Sequence, residues 1–202
     1  GAVGDDPVWY ASEHVPDWGD RFIFSYNGTT SIDFTYANLS DVQKTLLANN
    51  APEGLTVDEL ESYLTNLVKF IRGDTSNNTA HGGTFRVRSK PIGDIVHSAP
   101  TYYDGMVYIG ANDGMLHGID AANGNEIFCY VPAMVYDHLS DLAIPGYSHR
   151  YYVDSTPTVG RVNNKDILVC GLGKGGKGYF GLNVTSPDEL AALWEHSGDD
   201  DQ

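Results

Sequence analysis

The chain has 202 residues, 41% of them hydrophobic, with 23 Gly and 13 Tyr, a globular and β-leaning composition rather than a disordered one. A formal charge of −15 and a pI near 4.5 oppose nucleic acid and anionic lipid, so no nucleic-acid role is expected. No apolar run of about 18 residues occurs, so no membrane span is expected, and a start at Gly1 without a signal peptide reads as a mature or excised piece.

The stretch from Pro7 to Tyr36 is strand-rich. Val8-Trp9-Tyr10, Arg21–Tyr26 and Ser31–Tyr36 read as strands, and Asn27-Gly28 between the last two is a hairpin turn. Two helices are expected next. Ser40 with Gln43 and Thr56 with Glu59 are capping boxes, the first opening a helix over Asp41–Asn49 and the second a longer one ending at Arg72, before Gly73. On the longer helix Val57, Leu60, Leu64, Leu67 and Ile71 recur at helical spacing, widened by Tyr63 and Val68. Such a stripe serves a helix-in-groove partner or, as we read it here, packing against neighbouring sheets. Asp74–Gly83 is polar and loop-like, and Phe85–Ile95 should extend into the strands that follow.

Ser98–Tyr130 reads as four short strands joined by Asp104-Gly105, Asn112-Asp113-Gly114 and Asn123-Gly124. Ser155–Glu195 repeats it: Ser98-Ala-Pro-Thr matches Ser155-Thr-Pro-Thr, Asn163-Asn164-Lys165 replaces the first turn, and Gly110 and Gly118 match Gly171 and Gly181. Four-stranded repeats of roughly 40–50 residues are propeller blades. The period here is 57, Pro100 to Pro157, because an insert separates the blades. The chain is thus expected to be mainly β, a partial β-propeller with a two-helix insertion, forming one incomplete domain. Residues 1–39 would be part of an earlier blade, 40–84 the helical insertion, 85–131 a full blade, 132–152 the inter-blade insert and 153–202 a second blade.

Within the insert, Met134, Val135, Leu139, Leu142 and Ile144 fit a short amphipathic helix that Pro145-Gly146 ends. Tyr147, His149, Tyr151 and Tyr152 then crowd one loop-to-strand passage, as an interaction surface or as an aromatic plug closing the propeller edge. Cys129 and Cys170 lie on strands of successive blades, and a disulfide between them stays open beside two free buried thiols. They are too distant in sequence for a CxxC motif, so metal binding through them is not expected.

No motif supplies chemistry. Gly171–Gly178 is glycine-rich with Lys, but a strand rather than a helix N-terminus follows, so it reads as a long hairpin and not a phosphate cradle. His14, His81, His97, His117, His138, His149 and His196 show no ligand spacing, and His117 is placed as a core or channel-lining residue. No nucleophile elbow and no paired carboxylates stand out. Asp199-Asp200-Asp201 reads as a solvated acidic end rather than a calcium loop. Four sequons start at Asn27, Asn38, Asn77 and Asn183. The chain is therefore not expected to be an enzyme, and no cofactor is assigned to it.

Several of these stretches together carry a family resemblance. Val8-Trp9-Tyr10-Ala11, Phe70–Asp74, Phe85–Ser89, Gly93-Asp-Ile-Val-His-Ser-Ala-Pro100, Gly110-Ala-Asn-Asp-Gly-Met-Leu-His117, Val153–Pro157 and Gly171–Gly178 are similar to the C-terminal propeller of the PilY type IV pilus tip and biogenesis proteins. The resemblance implies a modified, quinoprotein-like propeller of about seven blades. It also implies export to the cell surface, whether outer membrane, pilus tip or secreted, and a role in adhesion, twitching motility and pilus extension. Minor pilins and the remainder of the propeller are the partners it implies, and regulatory calcium belongs to longer family members, with no ligand transferable to a position here. Val107–Gly124 is also similar to the repeats of pyrroloquinoline-quinone dehydrogenases, but the adjacent cysteine pair those enzymes often need is absent. A purely structural outer-membrane scaffold is the third reading.

Overall fold

The computed structural model describes residues 6–198. Its hairpins form where the turn chemistry demands them. Asp104 and Gly105 sit at φ 46° and 82°, Asn163 and Asn164 at 50° and 64°, the left-handed pair that a two-residue hairpin needs to match strand twist. Around these turns run β3 (Thr101–Tyr103), β4 (Met106–Gly110), β5 (Leu116–Asp120) and β6 (Glu126–Val131), then β7 (Thr158–Val162), β8 (Lys165–Gly171), β9 (Gly178–Asn183) and β10 (Ala191–Ser197). The registers repeat: Thr101 faces Tyr108 as Thr158 faces Val169, and Tyr108 faces Gly118 as Val169 faces Gly181. Both expected blades are present, and the fold is a partial β-propeller.

The blades pack face to face. The Tyr130 and Phe180 rings lie 4.9 Å apart, Tyr103 Oη donates to Asp166 at 2.9 Å, and Thr101 Oγ1 donates to Pro157 O at 2.6 Å. Gly110 must be a glycine, because a Cβ there would collide with the Val153 carbonyl where the chain enters the second blade.

The N-terminal hairpin departs from expectation. β1 (Ile23–Tyr26) and β2 (Ser31–Asp33) form at Asn27-Gly28, but β1 then pairs in parallel with β6, giving a six-stranded sheet ordered β2-β1-β6-β5-β4-β3. The hairpin belongs to the first blade, not to an earlier one. It satisfies the outer edge of β6, which would otherwise present unpaired backbone groups: Cys129 N bonds Phe22 O at 2.9 Å and Ser25 Oγ bonds Val131 O at 2.7 Å. Val8–Tyr10 is not a strand. Trp9 instead covers the turn at Gly124, whose own Cβ would stand 2.6 Å from the indole, and donates Nε1 to Ala121 O at 3.1 Å.

Both capping boxes form, opening α1 (Asp41–Leu47) and α2 (Val57–Arg72), and Gly73 ends α2 at φ 120°. The apolar stripe starts late: Val57 is 82% exposed and Leu60 half-buried, whereas Leu64, Leu67, Val68, Phe70 and Ile71 are buried. The helix packs into the same core as the sheets, each fully buried side chain contributing about 1.5–3 kcal/mol. Phe85 closes that junction, 5.6 Å from the Tyr63 ring and 5.3 Å from Phe70. Residues 86–95 lead into the first blade as a strap of irregular chain, with Arg86 and Arg88 tied to the carbonyls of Leu142 and Phe70. In the insert, a short α3 (Tyr136–Leu139) lies between two 3-10 turns and buries Val135, Leu139 and Leu142. Among the described residues no helix is long and apolar enough to cross a membrane. Asp199-Asp200-Asp201 lies outside the described residues.

Candidate functional site

Three of the four insert residues singled out from sequence gather on the surface, and the fourth does not. Tyr152 is 1% exposed, its N–H bonded to Asn112 Oδ1 at 3.1 Å and its hydroxyl to His138 O at 2.8 Å. It is core, pinning the insert to the first blade's turn. Tyr151 lies between two imidazoles, 5.4 Å from His97 and 5.0 Å from His149, with Lys174 Nζ 5.3 Å from its ring centre. Each imidazole is backed by a carboxylate: His97 Nδ1 meets Asp154 at 2.6 Å and His149 Nε2 meets Asp94 at 2.8 Å. Burial works to raise the Asp94 pKa, but hydrogen bonds from Asn112 and His149 outweigh it and hold it below the ordinary value. Tyr147 lies under Arg86, 4.4 Å from ring centre to guanidinium. Beside this cluster opens a cavity of about 470 Å³ lined by Tyr147, His149, Arg150, Tyr151 and Lys174.

His97, Asp94, Asp154 and Lys174 were missed as site residues. The signal was in the repeat. His97 and Asp154 hold the same position in successive repeats, 57 residues apart, as do Ala99 and Thr156, which bond across the same seam at 2.9 Å. Aligned positions of neighbouring blades lie side by side, so a histidine and an aspartate in register can meet.

A second cluster is wholly buried and was not legible as a unit. Arg21 makes a bidentate pair with Glu126, at 2.6 and 2.8 Å, and its Nη2 lies 3.3 Å from Cys129 Sγ. His117 Nδ1 meets Glu126 at 3.0 Å and its Nε2 meets Asp113 at 3.1 Å. Asp113 also accepts the N–H groups of Gly93 and Met115, at 2.8 and 3.1 Å. Burial disfavours charge on every member, yet for Arg21, His117, Glu126 and Asp113 the pairing prevails. It holds Glu126 and Asp113 below the ordinary carboxylate range, and contacts with Cys129 and Asp113 raise His117 well above its ordinary value. Burial and Glu126 push the Cys129 thiol up.

His117, Glu126 and Cys129 bring donor atoms within 4.8 Å of one another, but the set does not fit a cation. The Arg21 guanidinium already rests on two of the three donors. Calcium, implied for longer members of the resembled family, takes oxygen ligands and fits still less well. Nor is the 3.1 Å contact of Cys129 Sγ with His117 Nδ1 a working nucleophile, since both side chains are fully buried. The cluster is a charge-compensated pin.

Cys129 and Cys170 are both free thiols. Cys129 pairs across the strands with His117 on one face of the first sheet, while its neighbour Tyr130 points the other way to Phe180. Cys170 sits beside Phe180 on that far side, its thiol pushed up to about 12 by burial. A sheet separates the two sulfurs. In Gly171–Gly178, a Cβ on Gly175 would collide with the Tyr152 carbonyl, so close packing against the insert explains glycine there.

The sequence model of the PilY1 beta-propeller domain matches residues 90–202, which span both blades. The chain belongs to the PilY1 family. It is 33% identical to a type IV pilus biogenesis factor PilY1 homolog of Xylella fastidiosa, over 96% of this chain and 17% of the relative. It is 32% identical to the type IV pilus biogenesis factor PilY1 of Pseudomonas aeruginosa strain PAK, over 88% of this chain and 18% of that protein. The chain thus spans less than a fifth of these PilY1 relatives. The crystal structure of the Pseudomonas aeruginosa PilY1 C-terminal domain aligns at 38% identity over 48% of this chain and 19% of that one, with a TM-score of 0.36.

Proposed function

We propose that this chain is part of a type IV pilus biogenesis factor that acts by binding and not by catalysis. Its partners are minor pilins and further blades of the same propeller, and its place is the exported cell surface at the pilus tip, in attachment, pilus extension and twitching motility. Family membership supports the pilus setting. The observation that carries the binding mode is the exposed Tyr151 site, in which two carboxylate-backed histidines and Lys174 frame one ring on a seam held rigid by repeat-equivalent bonds. Interfaces are built from aromatic anchors of this kind on preorganised supports.

The test replaces Tyr151 and His149 by Ala in the full-length protein. Pull-down of minor pilins and recovery of the protein with sheared pili should fall, with the fold unchanged by circular dichroism. Normal piliation after deletion of the gene, with the protein confined to the cytoplasm, would refute the reading. Substrate-dependent dye reduction after reconstitution with pyrroloquinoline quinone and calcium would overturn the non-catalytic assignment.

A further inference from the structure

On a chain carrying −15, positive charge gathers in one cleft away from the Tyr151 site. The strap carries Arg86, Arg88 and Lys90 at alternate positions; Arg88 and Lys90 line this cleft, while Arg86 lies over Tyr147. Between it, the end of α2 and the N-terminal segment opens a cavity of about 720 Å³, whose walls include Ser12, Trp18, Arg72, Arg88, Lys90 and Pro91.

Among the described residues the two arginines there make no ion pair. Arg72 directs its donors to the carbonyls of Trp18, Phe34 and Arg21, at 3.2, 3.2 and 2.7 Å. Arg88 bonds the Phe70 carbonyl through Nη2, and its guanidinium lies 4.3 Å from the Phe70 ring centre. Among the described residues its other nitrogens make no hydrogen bond. The Arg88 side chain is half-buried at the cleft wall. Lys90 is 4.0 Å from Glu13, a pair half-exposed on both sides and worth little. Two acids line the same cleft, Asp17 and Asp74. Asp74 is turned onto Ser76, accepting from its N–H and hydroxyl at 2.8 and 2.9 Å, and neither acid lies within ion-pair distance of Arg72 or Arg88.

A guanidinium held in a cleft with carbonyls and a ring but no carboxylate is under-neutralised, and a bidentate carboxylate is its natural complement. Burial lowers the Arg88 pKa to about 10, with Asp113 offsetting part of it and Arg86 and Arg21 adding repulsion, and burial with Arg21 lowers Arg72 against the pull of Asp33 and Glu126. One small anion would leave most of the cavity empty, whereas its volume is that of a site enclosing a larger ligand. Hydroxyls of Ser12, Thr75, Ser76 and Ser89 can bond a backbone, and Trp18, Pro16 and Pro91 can cover side-chain stems. We propose that this cleft binds an acidic peptide segment of a partner protein, its Asp or Glu carboxylates taken by Arg88 and Lys90. The inference rests on the charges of the cleft and stands whether or not the pilus reading holds.

The test titrates a fluorescein-labelled hexapeptide of alternating Glu and Gly into the whole chain, followed by anisotropy, with the Gln-Gly hexapeptide and inorganic phosphate as separate arms. Saturable binding of the Glu peptide alone, weakened by salt, is the expected result. Lys90→Glu, at an exposed position that leaves the fold intact, should weaken binding about tenfold, and Arg88→Gln should do the same, while Arg161→Gln on the second blade should change nothing. No saturable binding, equal binding of the Gln peptide, or affinity untouched by Lys90→Glu would overturn the proposal. Displacement of the peptide by phosphate at equal concentration would overturn the peptide assignment as well, reducing the cleft to a simple anion site.

Discussion

The two blades share turns, strand registers and even a ring laid over a glycine: a Cβ on Gly118 would enter the Phe128 ring, and one on Gly181 the Trp194 ring. They differ in what lies against equivalent faces. On the face the second blade turns toward the first, the Phe180 ring meets Tyr130 at 4.9 Å, tilted by 50°, and Glu195 accepts from the Tyr130 hydroxyl and from Ala133 N. The same register positions of the first blade hold His117 and Cys129, and irregular chain covers them: Arg21, the strap and Trp9. A flat sheet face offers an aromatic partner, so Phe suffices. Irregular chain brings backbone and charge, and the buried answer is an ion network. The repeat dictates the backbone, and the neighbour dictates the chemistry of the face.

Breaking that network should cost most. Arg21→Ala strands Glu126 and Asp113 in the core, and urea denaturation should show a loss of about 3–5 kcal/mol. A loss under about 1 kcal/mol would mean that His117 balances both acids unaided. The glycine pair sharpens the comparison. Phe128 is 2% exposed and hemmed by Phe24 and Tyr108, at 5.8 and 6.2 Å, so Gly118→Ala should cost about 2–3 kcal/mol. Trp194 lies beside Tyr179, on a face where Tyr179 is 48% and Val169 39% exposed. Its ring can move, and Gly181→Ala should cost less than about 1 kcal/mol, read from the same curves.

Buried Glu126 and half-buried Glu195 should respond to pH with opposite signs. Glu126 and Asp113 are depressed on folding, so their contribution is complete above the ordinary carboxylate values of about 4 and is lost as pH falls through the folded values. Glu195 is raised, chiefly by burial; its contribution is complete below about 4 and is lost as pH rises through its folded value. Thermal melts between pH 3 and 7 should therefore show Glu195→Gln relieving the penalty at neutral pH and Glu126→Gln removing the acid-side decline. The smallest expected effect is at Tyr151. It is half-exposed, so Tyr151→Ala should stay within about 0.5 kcal/mol of the parent, and a larger loss would make the site a structural plug.

Local signals were legible where local chemistry decides. Asn27-Gly28 and Asp104-Gly105 turned, and Ser40 with Gln43 capped, because a few adjacent atoms settle those outcomes. The matching Ser98-Ala-Pro and Ser155-Thr-Pro gave the blades. What escaped depends on distant partners. No turn residue says which strand β1 will join, and Arg21 is 105 positions from Glu126. Tyr151 and Tyr152 look alike in sequence, yet one hydroxyl finds a carbonyl inside and the other ring stays out. The Lys90 cleft drew on three separate stretches, none unusual alone.

The sheet that keeps Cys129 from Cys170 also makes them independent witnesses. Each thiol is sealed in the native state, and each should be uncovered by a different local opening. A thiol reagent would reach Cys129 when the N-terminal segment carrying Arg21 lifts from the first blade, and Cys170 when the blades part. Alkylation rates resolved by peptide mapping would thus time two motions in one molecule, with no label added to either.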